Sequence, residues 1–175
     1  MTGTAVGRPK RARELVDETE KLIAAAAAEH PEFKGQTAAN VSDYQGIWVY
    51  GPHDVRSRML EELGFTYPKE LSGAFPKEFG GQLSDEKVDA LDVGVLVWLA
   101  DGDRTVEELK SEPVYSKLRV RKEGRDVFIR GKDRVYEATS FPSVLSMPTL
   151  LKGLVPRLAA AADGDPKTST DQPPA

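Results

Sequence analysis

The sequence predicts an α/β protein, a three-layer α/β/α sandwich with a mainly parallel sheet, preceded by a long helix. Three observations carry that prediction. Helical and strand patterns alternate along most of the chain, the order that wraps helices over a parallel sheet. The strongest strand, Val93-Gly-Val-Leu-Val-Trp-Leu99, is nearly apolar on both faces, as a strand covered from both sides must be. With 175 residues, 39% of them hydrophobic, the chain is also long enough to bury one sizeable core.

The elements follow in order. From Arg8 to Glu29, Leu15, Thr19, Leu22 and Ala26 form one stripe, with Val16, Ile23 and Ala27 beside it, so this stretch is a helix. His30-Pro31 ends it, because a residue before proline is pushed out of the α region. Thr37–Val41 and Ile47–Tyr50 read as short strands joined by a turn at Ser42–Gly46. Asp54 is placed to cap a helix that runs through Leu60 and stops at Gly64. Phe65–Gly81 is aromatic, Pro-rich and without periodicity, and is expected to be a long functional loop around one short strand. A short helix over Gln82–Leu91 starts from Ser84, followed by the strand Val93–Leu99 and a turn at Asp101–Arg104. Thr105-Val-Glu-Glu108 fits a capping box, and Glu112-Pro113 closes that helix. Leu118–Arg121 and Asp126–Arg130 are expected to be extended around Lys122–Arg125. The last helix begins near Ser143 or Ser146 and reaches Ala162, with Pro156 expected to kink it or open a new first turn. Residues 163–175 have almost no apolar content and are expected to be disordered.

Composition excludes several classes of function. No apolar run reaches the roughly 20 residues of a membrane-spanning helix. Twenty-four Lys and Arg are offset by 28 Asp and Glu, a net charge of -4 that argues against nucleic acid as a partner. The chain has no cysteine and two histidines, His30 and His53, in unrelated settings, so no metal site is expected. No nucleophile elbow, phosphate loop or dinucleotide fingerprint is present, and no catalytic residue is assigned. What remains is a set of aromatic and basic residues at predicted strand ends. Tyr50 and Trp98 close two strands, and Arg134 and Tyr136 follow the last. In an open parallel sheet ligands bind outside the carboxyl ends of the strands, so these four side chains are expected either to form a rim for a large, flat, anionic ligand or to lie at the edge of the core, the latter above all for Trp98 on its continuous apolar strand.

Several stretches resemble the C-terminal lobe of the iron-siderophore class of ABC-transporter substrate-binding proteins. They are Gly51-Pro-His-Asp, then Met59-Leu-Glu-Glu-Leu-Gly-Phe65, Gln82-Leu-Ser-Asp-Glu-Lys-Val-Asp-Ala-Leu-Asp92 and Val95-Leu-Val97. Glu112-Pro-Val-Tyr-Ser-Lys-Leu118, Val120-Arg-Lys-Glu-Gly-Arg-Asp-Val127 and the Ser/Pro-marked last helix follow in the same order, over roughly residues 35–163. The resemblance implies an inter-lobe helix over residues 1–34, a binding-protein lobe over 35–162 and a tail over 163–175. It implies a non-enzymatic importer component, without cofactor, whose ligand is a ferric siderophore or a related chelate such as haem or cobalamin.

Carried over residue by residue, the family's ligand contacts fall on Tyr50 and His53, on Phe75 and Phe79, on Trp98, and on Arg134 and Tyr136. A surface carboxylate that docks on the permease's transmembrane subunits falls on Glu70, with Glu61 and Glu62 as alternatives. The family is extracytoplasmic, and many members carry a lipid-attachment cysteine. The expected partners therefore include an N-terminal lobe and a signal segment that the sequence does not contain. The alternative expectation is a free-standing protein-interaction module built on the same lobe.

Overall fold

The computed structural model describes residues 7–75, 79–100 and 104–170. Five strands form a single sheet in the order β3-β2-β1-β4-β5, with β1 at Ala38–Asp43, β2 at Ile47–Tyr50, β3 at Gly80–Leu83, β4 at Val95–Ala100 and β5 at Asp126–Arg130. β1, β4 and β5 pair in parallel, and β2 pairs antiparallel with both β1 and β3. Four of the five strands therefore run the same way, with β2 reversed, and the α/β sandwich with a mainly parallel sheet is the observed fold.

Two apolar layers pack on the two faces. Ala38, Val95, Val97, Val127 and Ile129 meet one helical layer. It consists of α1 (Pro9–Glu29), α2 (Val55–Glu62), α6 (Arg134–Ser140) and α7 (Met147–Asp163). On the other face Ala39, Val41, Val49, Leu96, Trp98 and Phe128 pack against α3 (Lys69–Ala74), the 3-10 turn Asp85–Leu91 and α4 (Val106–Ser111). The turn Tyr115–Lys117 and α5 (Arg119–Lys122) complete that layer. Strict alternation along β1 and β4 sends successive side chains to opposite layers, which is why the strand Val93–Leu99 carries no polar face.

Local signals explain most of these elements. The Asp54 side chain accepts from Arg56 N and caps α2, and Gly64 follows with φ +113. At α4 the capping box is complete: Thr105 Oγ1 accepts from Glu108 N, and the Glu108 carboxylate accepts from Thr105 N at 2.7 Å. That contact holds the Glu108 carboxyl below the ordinary range. α1 buries only Ile23, while Val16 and Leu22 stay 45% and 44% exposed.

Elsewhere the structure corrects the sequence reading. The stretch 65–81 contains α3, and Gln82 and Leu83 belong to the edge strand β3 rather than to a helix. Ser84 precedes the 3-10 turn without a side-chain cap. Leu118–Arg121 is not a strand; α5 forms there, with Val120 buried and its N–H held by Asp92 Oδ1 at 2.8 Å. α6, unforeseen, is capped by Asp133 through Val135 N at 3.0 Å. α7 runs through Pro156 without ending. Residues 164–170 do not hang free: Thr170 Oγ1 donates to Asp126 O at 2.8 Å. The expected turn residues Asp101–Asp103, Pro76 in the 65–81 stretch and the tail residues 171–175 lie outside the described residues.

Candidate functional site

At the carboxyl ends of the parallel strands, where the rim was expected, Asp43 and Arg104 form an ion pair. Asp43, 2% exposed at the end of β1, accepts from Arg104 N at 2.9 Å, Nε at 2.9 Å and Nη2 at 2.8 Å. This pair spans the gap between β1 and β4, the place where the strand order reverses and an open sheet would admit a ligand.

Tyr50 is not at that edge. It ends β2, the one reversed strand, so its side chain lies along the sheet rather than at the carboxyl rim. Ser42 pairs directly with Trp48, which puts Trp48 and Tyr50 on the face covered elsewhere by α2, α6 and α7. Both residues are half-buried and Gln82 on β3 is exposed, so this corner of the sheet forms an open shelf. A Cβ at Gly80 would meet Val49 O at 2.4 Å and Trp48 Nε1 at 2.7 Å, so glycine there leaves room for the close approach of β2 and the indole edge.

Arg56 organises the shelf. Its guanidinium carbon lies 4.4 Å from the centre of the Tyr50 ring. Nη1 reaches both Asp54 oxygens at 3.0 and 3.1 Å, Nε donates to Thr139 O at 2.8 Å, and Nη2 donates to Ser140 O. The fork thus ties the start of α2 to the end of α6, with one face on an aromatic ring. The Tyr50 carbonyl is held from below by Tyr67 OH at 2.9 Å. Burial, and then the charges of Asp54 and Glu61, push the Tyr67 phenol up to about 12.

Exposed apolar residues border this cluster. Gly51 N donates to Phe79 O at 2.7 Å, which places Phe79, 72% exposed, beside the end of β2. Phe141, 81% exposed, directly follows Ser140, and Leu145 sits in the same connection to α7. The side-chain amide of Asn40, on β1 one position beyond the Val41–Val49 pair, and the hydroxyl of Ser140 are buried without a hydrogen-bond partner among the described residues.

The expected contacts therefore divide. Tyr50 and Phe79 lie near one another at the shelf, and the exposed His53 follows in the turn after β2. Tyr136, half-buried, stands one helical turn before Ser140, while Arg134 lines a shallow hollow with Glu137, Ser146 and Thr149. Trp98 does not reach a rim. It is 1% exposed in the opposite layer, edge-on to Tyr115 and stacked over Phe128, with Nε1 donating to Tyr115 OH at 3.0 Å. Phe75 packs on that same layer, over Gly81. Arg56 and Phe141 were missed. The available signals were Asp54-Val-Arg56, with a base at the second position of a capped helix, and the Phe141-Pro142 pair before the last helix.

No protein-family model matches the sequence, and no curated protein does. Solved structures do. A periplasmic solute binding protein from Mycobacterium smegmatis superposes with a TM-score of 0.76 at 24% identity, over 92% of this chain and 54% of that one. PiaA from Streptococcus pneumoniae in complex with ferrichrome gives 0.74 at 24% identity, over 93% and 56%. FhuD2 from Staphylococcus aureus with bound ferrioxamine B gives 0.75 at 16% identity, over 91% and 62%. The chain spans between half and two thirds of the length of each. It has the fold of a part of these periplasmic and siderophore-complexed binding proteins.

Proposed function

We propose that this chain is one wall of a binding site for a ferric siderophore, in the non-enzymatic, extracytoplasmic solute-binding component of an ABC importer. The observation that carries the reading is the shelf. Tyr50 and Trp48 offer aromatic surface, Arg56 fixes the orientation of Tyr50, and Phe79, Phe141 and Leu145 add exposed apolar surface nearby. Such a surface suits a bulky chelate with apolar flanks and polar rim atoms, provided a second wall completes the burial. The fold shared with proteins solved with ferrichrome and ferrioxamine B supports that choice of ligand class.

Arg56 spends its donors within the protein, so it orients the shelf and does not itself neutralise the ligand. The exposed Val16 and Leu22 of α1 are suited to contact the second wall. Glu70 at the start of α3, and Glu61 and Glu62 at the end of α2, are exposed carboxylates available to a permease.

The two tryptophans report separately, because Trp48 lies on the shelf and Trp98 in the core. Ferrichrome or ferrioxamine B should quench the fluorescence of the Trp98→Phe chain in a saturable way. Quenching that survives only in a Trp48→Phe chain, or none with either chelate, would remove the basis of the reading.

A further inference from the structure

Arginines near strand ends suggest an anionic ligand, but the folded shelf carries the opposite field. The guanidinium nearest Tyr50, that of Arg56, is matched by a carboxylate: Nη1 donates to both Asp54 oxygens, at 3.0 and 3.1 Å, while Nε and Nη2 donate to Thr139 O and Ser140 O. Arg58, exposed, sits about 200° round α2 from Arg56 and so belongs to another side of that helix. Arg134 lines its hollow together with the acid Glu137.

Beneath Tyr50 the acids prevail. Tyr67 OH donates to the Tyr50 carbonyl at 2.9 Å. After burial, the charges of Asp54 and Glu61 push that phenol up to about 12. At a group bonded to the Tyr50 backbone, Asp54 and Glu61 therefore outweigh Arg56.

The rest of the surface is apolar or uncharged. Phe79, Phe141 and Leu145 are exposed. The Asn40 amide, which the β1–β2 register sets opposite Tyr50, and the Ser140 hydroxyl are buried without a hydrogen-bond partner among the described residues. A multiply charged chelate pressed onto such a surface loses hydration that only a counter-charge could replace. A neutral chelate loses far less, and a cationic one is attracted by the acids.

We infer that this wall selects ferric chelates by charge, taking neutral or monocationic complexes and rejecting trianionic ones such as a tris-catecholate. The inference rests on the siderophore reading of the shelf and adds the ligand's charge class to it.

The test is titration of the 15N-labelled chain at about pH 8, where histidine is neutral. The probes are the gallium(III) complexes of ferrichrome, which is neutral, of ferrioxamine B, which is monocationic, and of a hexadentate tris-catecholate, which is trianionic. The first two should shift amides in 48–56 and 79–80 saturably, and the tris-catecholate should bind about tenfold or more weakly. Added sodium chloride should strengthen tris-catecholate binding and narrow the gap, because screening relieves repulsion. Tris-catecholate binding as tight as that of the ferrichrome complex would overturn the inference and leave the siderophore reading in place. So would a gap that salt leaves unchanged, which would assign the preference to shape, or tris-catecholate binding that salt weakens, which would reveal a cationic site. Shelf amides unmoved by all three complexes would remove the siderophore reading, and this inference with it.

Discussion

The guanidinium of Arg56 lies 4.4 Å from the centre of the Tyr50 ring while its edges bond Asp54, Thr139 O and Ser140 O, so one side chain joins the end of β2, the start of α2 and the end of α6. Replacing it leaves a nearly buried carboxylate with only the backbone N–H of residue 56, and two carbonyls without that side-chain donor. Arg56→Ala should therefore lower stability by about 2–3 kcal/mol. Arg56→Lys should recover only part of that, since an ammonium cannot reproduce the planar fork. Urea unfolding of the three chains checks both.

A second buried network lies in the opposite layer. Trp98 Nε1 donates to Tyr115 OH, which donates to Asp126 Oδ2, and Asp126 also holds Arg121. Tyr115→Phe deletes one oxygen and strands an indole N–H and a carboxylate oxygen together. The expected loss is about 1–3 kcal/mol, larger than for a surface Tyr44→Phe control, again by urea unfolding.

The phenols give a pH dependence with a defined sign. The folded protein keeps Tyr67 protonated up to about 12, through burial first and then the charges of Asp54 and Glu61, whereas an unfolded tyrosine titrates near about 10. Between those values the folded state holds more protons, so stability is full below about 10 and falls as pH rises through about 12. Burial pushes Tyr115 upward as well and adds to the same slope. In Tyr67→Phe the decline of the urea midpoint over this range should be shallower.

On α1, Val16 and Leu22 leave apolar side chains open to solvent on two sides of the helix. The isolated chain should self-associate through them as concentration rises. Sedimentation velocity should show the larger species disappear in Val16→Glu/Leu22→Glu; a monomer at every concentration in the unmodified chain would contradict this.

What the sequence could and could not disclose follows from the range of each interaction. Caps are local, so Asp54, Thr105 and Glu108 announced α2 and α4 correctly. The apolar run at β4 announced a strand covered on both faces, but such a run cannot say which face any residue takes. Trp98 was therefore placed on a rim when alternation sends it into the layer with Tyr115 and Phe128. The direction of β2 was legible, because a turn as short as Ser42–Gly46 allows only antiparallel pairing with β1, which takes Tyr50 to the end of the sheet away from the carboxyl rim. The shelf itself depends on contacts such as Arg56 with Thr139 and Ser140, more than 80 residues apart, which no spacing rule encodes. α5 stands where a strand was expected, and the contact that holds its first turn, Val120 N to Asp92 Oδ1, comes from another segment.

Paramagnetic broadening tests whether the Tyr50–Arg56 shelf faces a ferric chelate, as proposed. High-spin iron(III) in ferrichrome or ferrioxamine B broadens amides close to it, and the matching gallium(III) chelate serves as a diamagnetic reference. The account predicts broadening concentrated on residues 48–56, 79–80 and 140–146, and reduced by Tyr50→Ala. Broadening centred on the Asp43–Arg104 end of the sheet, or none above the gallium reference at millimolar chelate, would contradict it.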